Sequence, residues 1–197
     1  MLYNVITTKN IDFSSAPRAD ISCYKWGDGY EPAAYAQLIY VDGEGFMLHM
    51  HCDEADPKVI YTSYNDPVYK DSCLEFFVSF NANSPLYMNF EMNSNGAFLS
   101  AVRSDRKNKT PIDQLCELPE VKASRNADSW NVDVFFSLEM INKLFGECKF
   151  AKGSTFKGNF YKCGDETAQP HFGMWSPVDL PSPDFHRPEF FGEFKIV

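Results

Sequence analysis

The chain has 197 residues, 44% of them hydrophobic and interspersed with charges of both signs, which is length enough for one sizeable core and leaves no low-complexity tract that would argue for disorder. A net charge of -9 removes the attraction that supplies most nucleic-acid affinity, and no window approaches the roughly 20 apolar residues a membrane helix needs. Neither nucleic acid nor membrane is an expected partner, and residues 1–197 read as a single domain.

The start, Met1-Leu2-Tyr3-Asn4-Val5, lacks the basic and apolar stretches of a signal peptide, so the chain as given is expected in the cytoplasm. Cys23, Cys52, Cys73, Cys116, Cys148 and Cys163 form no CxxC pair and are expected as free thiols.

Period-two alternation between turn residues dominates the rest. Ala36 to Tyr40, the turn Asp42-Gly43-Glu44-Gly45 and Phe46 to Cys52 predict a hairpin with Phe46, Leu48, Met50 and Cys52 on one face. His49 and His51 share the other face, but a catalytic zinc needs three protein ligands, so they read as ordinary strand histidines. Leu74 to Phe80 places Glu75 opposite an apolar row, and Tyr87 to Asn93 does the same for Asn89 and Glu91. Asn95-Gly96 turns the chain into Ala97 to Arg103, and Arg103, Arg106, Lys107 and Lys109 read as a solvated basic loop. Trp130 to Phe136 alternates next. Ser137 to Gly146 predicts one short helix with Ser137 as its N-cap, plugging an end of the domain. Thr155 to Lys162 is a strand with Asn159 on the polar face, and Phe191 to Val197 closes the sheet. Between them Cys163 to Glu189 is a long loop rich in Pro, Asp, His and aromatics, where a ligand is expected. The fold class expected is all-β, an antiparallel β-sandwich of two packed sheets with one short helix; a closed barrel is the alternative.

Most aromatic residues fall in the apolar rows. Tyr69 and Trp175 lie in polar, turn-rich segments, and suit either the flat walls of a sugar site or covers for the sandwich ends. Glu75, Asn89 and Glu91 carry the groups that bind hydroxyls, or else line a solvated face. Glu75 and Glu91 also admit a glycosidase reading, with His171, Asp184 and His186 as loop residues able to move protons. No nucleophile elbow, P-loop, dinucleotide fingerprint or zincin motif accompanies them.

The stretch Tyr69-Lys70-Asp71-Ser72-Cys73-Leu74-Glu75-Phe76-Phe77, the Trp130 to Leu138 segment, and the ending Asn159-Phe160-Tyr161, Trp175-Ser176-Pro177, Phe185 to Glu189 and Phe191-Gly192 together resemble the family 9 carbohydrate-binding modules and their stand-alone, family 9-like relatives. The resemblance runs from about Val41 to Val197. It implies a β-sandwich whose sugar slot lies between Tyr69 and Trp175, with Glu75 binding hydroxyls; Asn89, Glu91, Asn159 and His171 complete the expected carbohydrate-binding set. Tyr69 stands where such modules carry Trp, and Asn89 and Glu91 stand where a basic residue is expected. Structural calcium is also implied; Asp53, Glu54 and Asp56 are its oxygen ligands or else an acidic solvated loop. The resulting expectation is a mono- or oligosaccharide partner and no catalytic residue. The alternatives are a glycoside hydrolase, and an interaction module presenting Trp175.

Overall fold

A computed structural model describes residues 1–197. In chain order the strands are β1 (Leu2–Thr8), β2 (Ala19–Asp20), β3 (Cys23–Gly27), β4 (Ala34–Val41), β5 (Gly45–Cys52), β6 (Cys73–Ser79) and β7 (Tyr87–Asn93). They continue as β8 (Phe98–Arg103), β9 (Lys109–Pro111), β10 (Val121–Arg125), β11 (Trp130–Ser137), β12 (Thr155–Cys163), β13 (His171–Met174) and β14 (Gly192–Ile196), with the helix α1 (Leu138–Phe145) after β11.

One sheet runs β10-β11-β5-β4 and the other β14-β12-β6-β7-β8-β9, with β13 and β3 extending outward from the end of β12. β1 belongs to both. Leu2 to Val5 pair in parallel with β14, and Ile6 to Thr8 pair in parallel with β4. The expected two-layer arrangement is present, but the sheets are mixed, not purely antiparallel. The reason is that both partners of β1 come from distant parts of the chain, so no hairpin turn dictates its direction.

The core lies between the sheets. Leu74, Phe76 and Val78 of β6 and Met88, Phe90 and Met92 of β7 face Leu48, Met50, Val132 and Phe136 from the other layer. The predicted hairpin is β4 and β5, and its turn needs glycine: a Cβ on Gly45, at φ 156°, would collide with the Phe136 carbonyl of β11. At α1 the Ser137 hydroxyl accepts from the Met140 N–H at 3.1 Å, Gly146 ends the helix at φ 77°, and Met140, Ile141, Leu144 and Phe145 join the core. No helix is long and apolar enough to cross a membrane.

β7 is buried along its whole length on both faces, and β6 nearly so. Alternation therefore separates two buried environments there, not core from solvent. The second is made by residues 163–191 folding back over the outer face, where Phe77, Tyr87, Tyr161, Met174 and Val178 form a satellite cluster.

Candidate functional site

On that outer face the register sets out cross-strand rows. One row runs Tyr161, Glu75, Glu91, Leu99; the next runs Asn159, Phe77, Asn89, Ala101; a third pairs Tyr87 with Arg103 and Arg103 with Lys109. The overlying segment leaves a cavity of about 290 Å³ above the first row. Its floor is Glu75, Phe77 and Glu91, its aromatic walls are Tyr69, Phe172 and Phe185, and Arg103, Arg106 and Lys109 line one side. The wall is fixed by packing: Phe185 stacks on Tyr161 with centroids 4.0 Å apart, and His186 Nδ1 meets the Tyr87 hydroxyl at 3.0 Å.

Tyr69 sits on a single 3-10 turn, Val68–Lys70, just before β6. The Asp71-Ser72 pair holds that turn in place. The buried Asp71 carboxylate accepts from the backbone N–H groups of Ile60 and Tyr61, each at 3.0 Å, and from Asn93 Nδ2 at 3.1 Å. Ser72 Oγ accepts from the Lys58 N–H at 3.0 Å and donates to Glu54 Oε1 at 2.9 Å. These two residues knit loop 54–62 to β6, and the Tyr69 carbonyl accepts from the Asp165 N–H at 3.1 Å.

The carboxylates are unevenly answered. Glu75 Oε1 accepts from the Cys163 thiol at 2.9 Å, and Glu91 Oε1 accepts from Asn89 Nδ2 at 2.8 Å. Glu91 Oε2 is buried with no partner. Burial, then the charge of Glu91, raises the Glu75 carboxyl well above the usual range and favours its protonated form. Burial raises Glu91 to about 7 against the opposing pull of Asn89 and Arg103, and raises Asp165 to about 6. Burial and the neighbouring Arg103, Arg106 and Lys109 lower His186 to about 3, keeping it neutral. Cys73 lies with Cys163 and Glu75 within 4.8 Å, but burial pushes its thiol up to about 12, and it donates to the Leu74 carbonyl at 3.8 Å while Cys163 donates to Glu75.

The structure brings Tyr69, Glu75 and Glu91 together in the cavity, with Asn89 beside them joining Glu91 to Arg103. It does not bring Asn159, His171 or Trp175 there. The Trp175 N–H continues the ladder onto the Phe160 carbonyl at 2.9 Å, and the pleat after Met174 turns its ring inward. That ring is 6% exposed, packs 5.3 Å from Phe194 and 5.9 Å from Phe160, and fills the space a Cβ on Gly192 would need. It is core, neither a slot wall nor a surface aromatic for a partner. Asn159 clips two segments together, accepting from the Ser176 N–H at 2.8 Å and donating to the Ser176 carbonyl at 2.7 Å. His171 lies against Lys162 Nζ at 2.7 Å, and burial together with that ammonium lowers it to about 4.

The basic run is also corrected. Lys107 fits the solvated reading and Arg106 and Lys109 are exposed at the cavity's edge, but Arg103 is buried. The signal was present, since Arg103 continues the outward positions Leu99 and Ala101 of β8. Asp165 and Phe185 were missed because no alternation marks an overlying loop, Phe172 because its strand β13 is short, and Cys163 because β12 runs one residue past the predicted strand.

The implied calcium ligands do not converge. Asp53 Oδ1 meets His51 Nε2 at 2.8 Å and Asp56 is exposed, whereas Glu54 turns inward to Ser72, Trp130 and Lys162. A lysine ammonium already faces the one buried carboxylate, so the set does not fit the ion. His49 and His51 pair instead with Asp133 and Asn131 across the strand, each through Nδ1.

A two-layer β domain with a cavity of aromatic walls and a polar floor has the form of a ligand-binding module. The family model for carbohydrate-binding family 9 matches residues 6–196, and the chain belongs to that family. Across its full length the fold is similar to a Bacteroides uniformis protein assigned to carbohydrate binding (25% identity, 99% of that chain, TM-score 0.84). It is also similar to family 9 modules of Caldicellulosiruptor kristjanssonii solved with cellotriose (12% identity, 93% of that chain, TM-score 0.69) and with glucose (14%, 96%, 0.70). No curated protein matches the chain.

Proposed function

We propose that this chain binds a mono- or oligosaccharide without transforming it, and that the cavity beside Tyr69 is the site. The observation that carries the reading is the buried Glu91 Oε2, an acceptor without a donor on the floor of a cavity walled by Tyr69, Phe172 and Phe185. A sugar hydroxyl supplies that donor, and the weakly polar C–H face of a pyranose lies against the rings. With burial pushing its carboxyl toward the protonated form, Glu75 offers a donor where Glu91 Oε2 accepts, so the floor offers both hydrogen-bonding roles.

The experiment is calorimetric titration with mono- and disaccharides, glucose and cellotriose included. Binding of at least one sugar is expected, weakened tenfold or more in Tyr69→Ala and Glu91→Gln. No heat from any sugar overturns the reading.

One observation favours an enzyme as the second reading: two buried acids with displaced titrations are the raw material of glycoside hydrolysis. Against it, Glu75 and Glu91 are direct cross-strand neighbours on one floor and do not flank a bond from opposite sides. Aryl glycoside turnover that disappears in Glu75→Gln is the result that would favour hydrolysis.

A further inference from the structure

Arg103 is 6% exposed, yet its hydrogen bonds go only to neutral groups: Nε donates to Asn89 Oδ1 at 2.6 Å and Nη1 to the Arg106 carbonyl at 2.8 Å. Nη2 makes no hydrogen bond within the protein, and no carboxylate is in ion-pair contact with the guanidinium. A buried cation without a counter-ion is costly and is normally paired. The surroundings add positive charge. Lys109 is the register partner of Arg103 and has no ion pair, and Arg106 reaches only Asp184, at 3.5 Å. Asp184 is itself shared with Arg187 at 3.9 Å. In a chain of net charge -9 this is a local reversal of sign, placed on one side of the cavity.

The opposite side is less negative than its composition suggests. Of the floor acids, burial shifts Glu75 toward its protonated form and raises Glu91 to about 7. An anionic group entering at the Arg103 side is therefore not met by two full negative charges from the floor; of the two other acids lining the cavity, Asp184 is taken up by Arg106 and Arg187, and burial raises Asp165 to about 6.

We propose that the ligand of this cavity is an acidic sugar, a uronic acid, whose carboxylate is received by Arg103 with Lys109 and Arg106 at the rim while its hydroxyls meet Glu75 and Glu91. The inference rests on the carbohydrate reading and specifies its ligand. The planar guanidinium fork matches a carboxylate, an interaction roughly twice as strong as a neutral hydrogen bond, and a neutral hexose offers Arg103 only a hydroxyl.

The test compares sugars that differ only at C6. Glucose is titrated against glucuronate and galactose against galacturonate, by calorimetry near neutral pH in low salt, with short oligogalacturonides to separate a free monosaccharide from a chain residue. At least one uronate, free or chain-borne, is expected to bind tenfold or more tighter than its neutral counterpart, with an affinity that falls as salt rises. Arg103→Gln and, should that variant fold poorly, the exposed Lys109→Gln and Arg106→Gln are expected to remove most of that preference. Neutral sugars binding as tightly as uronates overturn this inference and leave the carbohydrate reading intact. Absence of binding by every sugar removes both. A uronate preference unchanged in all three variants, or equal heat from acetate alone, also overturns it.

Discussion

Two places in this domain bury charge, and they treat it in opposite ways. Between the sheets Lys162 is 0% exposed, with its Nζ 2.7 Å from His171 Nε2, 3.0 Å from the Cys163 carbonyl and 3.4 Å from Glu54 Oε2. Glu54 is answered in turn by Ser72 Oγ at 2.9 Å and Trp130 Nε1 at 3.0 Å. On the other face of the same sheet Glu91 keeps an unpartnered oxygen and Arg103 has no carboxylate. Consecutive residues of β12 divide the two regions, Lys162 pointing inward and Cys163 outward to Glu75. Burial alone does not separate structural from functional charge; completeness of the partners does.

Breaking the closed network carries the largest expected cost. Lys162→Met strands Glu54 in the interior, and a loss of about 3–5 kcal/mol is expected in urea unfolding, partly recovered when Glu54→Gln is added. Trp175→Ala opens a cavity in the core and is expected to cost about 3–5 kcal/mol. Tyr69→Ala, at the cavity wall, should cost clearly less stability while weakening sugar binding tenfold or more. A Trp175→Ala protein of native stability that loses only binding would return Trp175 to the site.

Much of the layer structure was legible. The strands from 34 to 52, 73 to 103 and 130 to 163 follow from alternation, and α1 follows from its cap and stop residues. β1, β2, β3, β9, β10 and β13 were not legible, being short or dependent on partners distant in sequence, and β13 lies within what reads as a long loop. Of the site, Glu75 and Glu91 were readable because a strand puts an acid opposite an apolar row. Trp175 misled, since polar neighbours in sequence do not reveal a side chain that the pleat turns inward. Arg103 misled in the opposite direction: a run of basic residues suggested solvent, although the register of β8 carries it under the covering loop.

The smallest effect, and the one that sharpens the contrast most, is titration of the floor. His171 and His186 stand at about 4 and about 3 in the folded chain against an ordinary 6.5, so their contribution is complete above 6.5 and is lost as pH falls below it toward those values. Glu91 has the reverse sign: with its carboxyl raised to about 7 from 4.5, its contribution is complete below 4.5 and is lost as pH rises through about 7. The two trends oppose each other between about 4.5 and 6.5 and flatten the native profile there. Glu91→Gln removes Glu91's share of the falling limb and leaves that of Glu75 and Asp165, whose carboxyls are raised as well. Thermal unfolding of both proteins from pH 4 to 8.5 should then show similar melting temperatures at the acid end and a lead for the variant that opens as pH rises through about 7. A lead of opposite sign would mean that Arg103 stabilises the Glu91 carboxylate after all. The cavity would then be as self-satisfied as the Lys162 network, and the case for a charged ligand would fall with it.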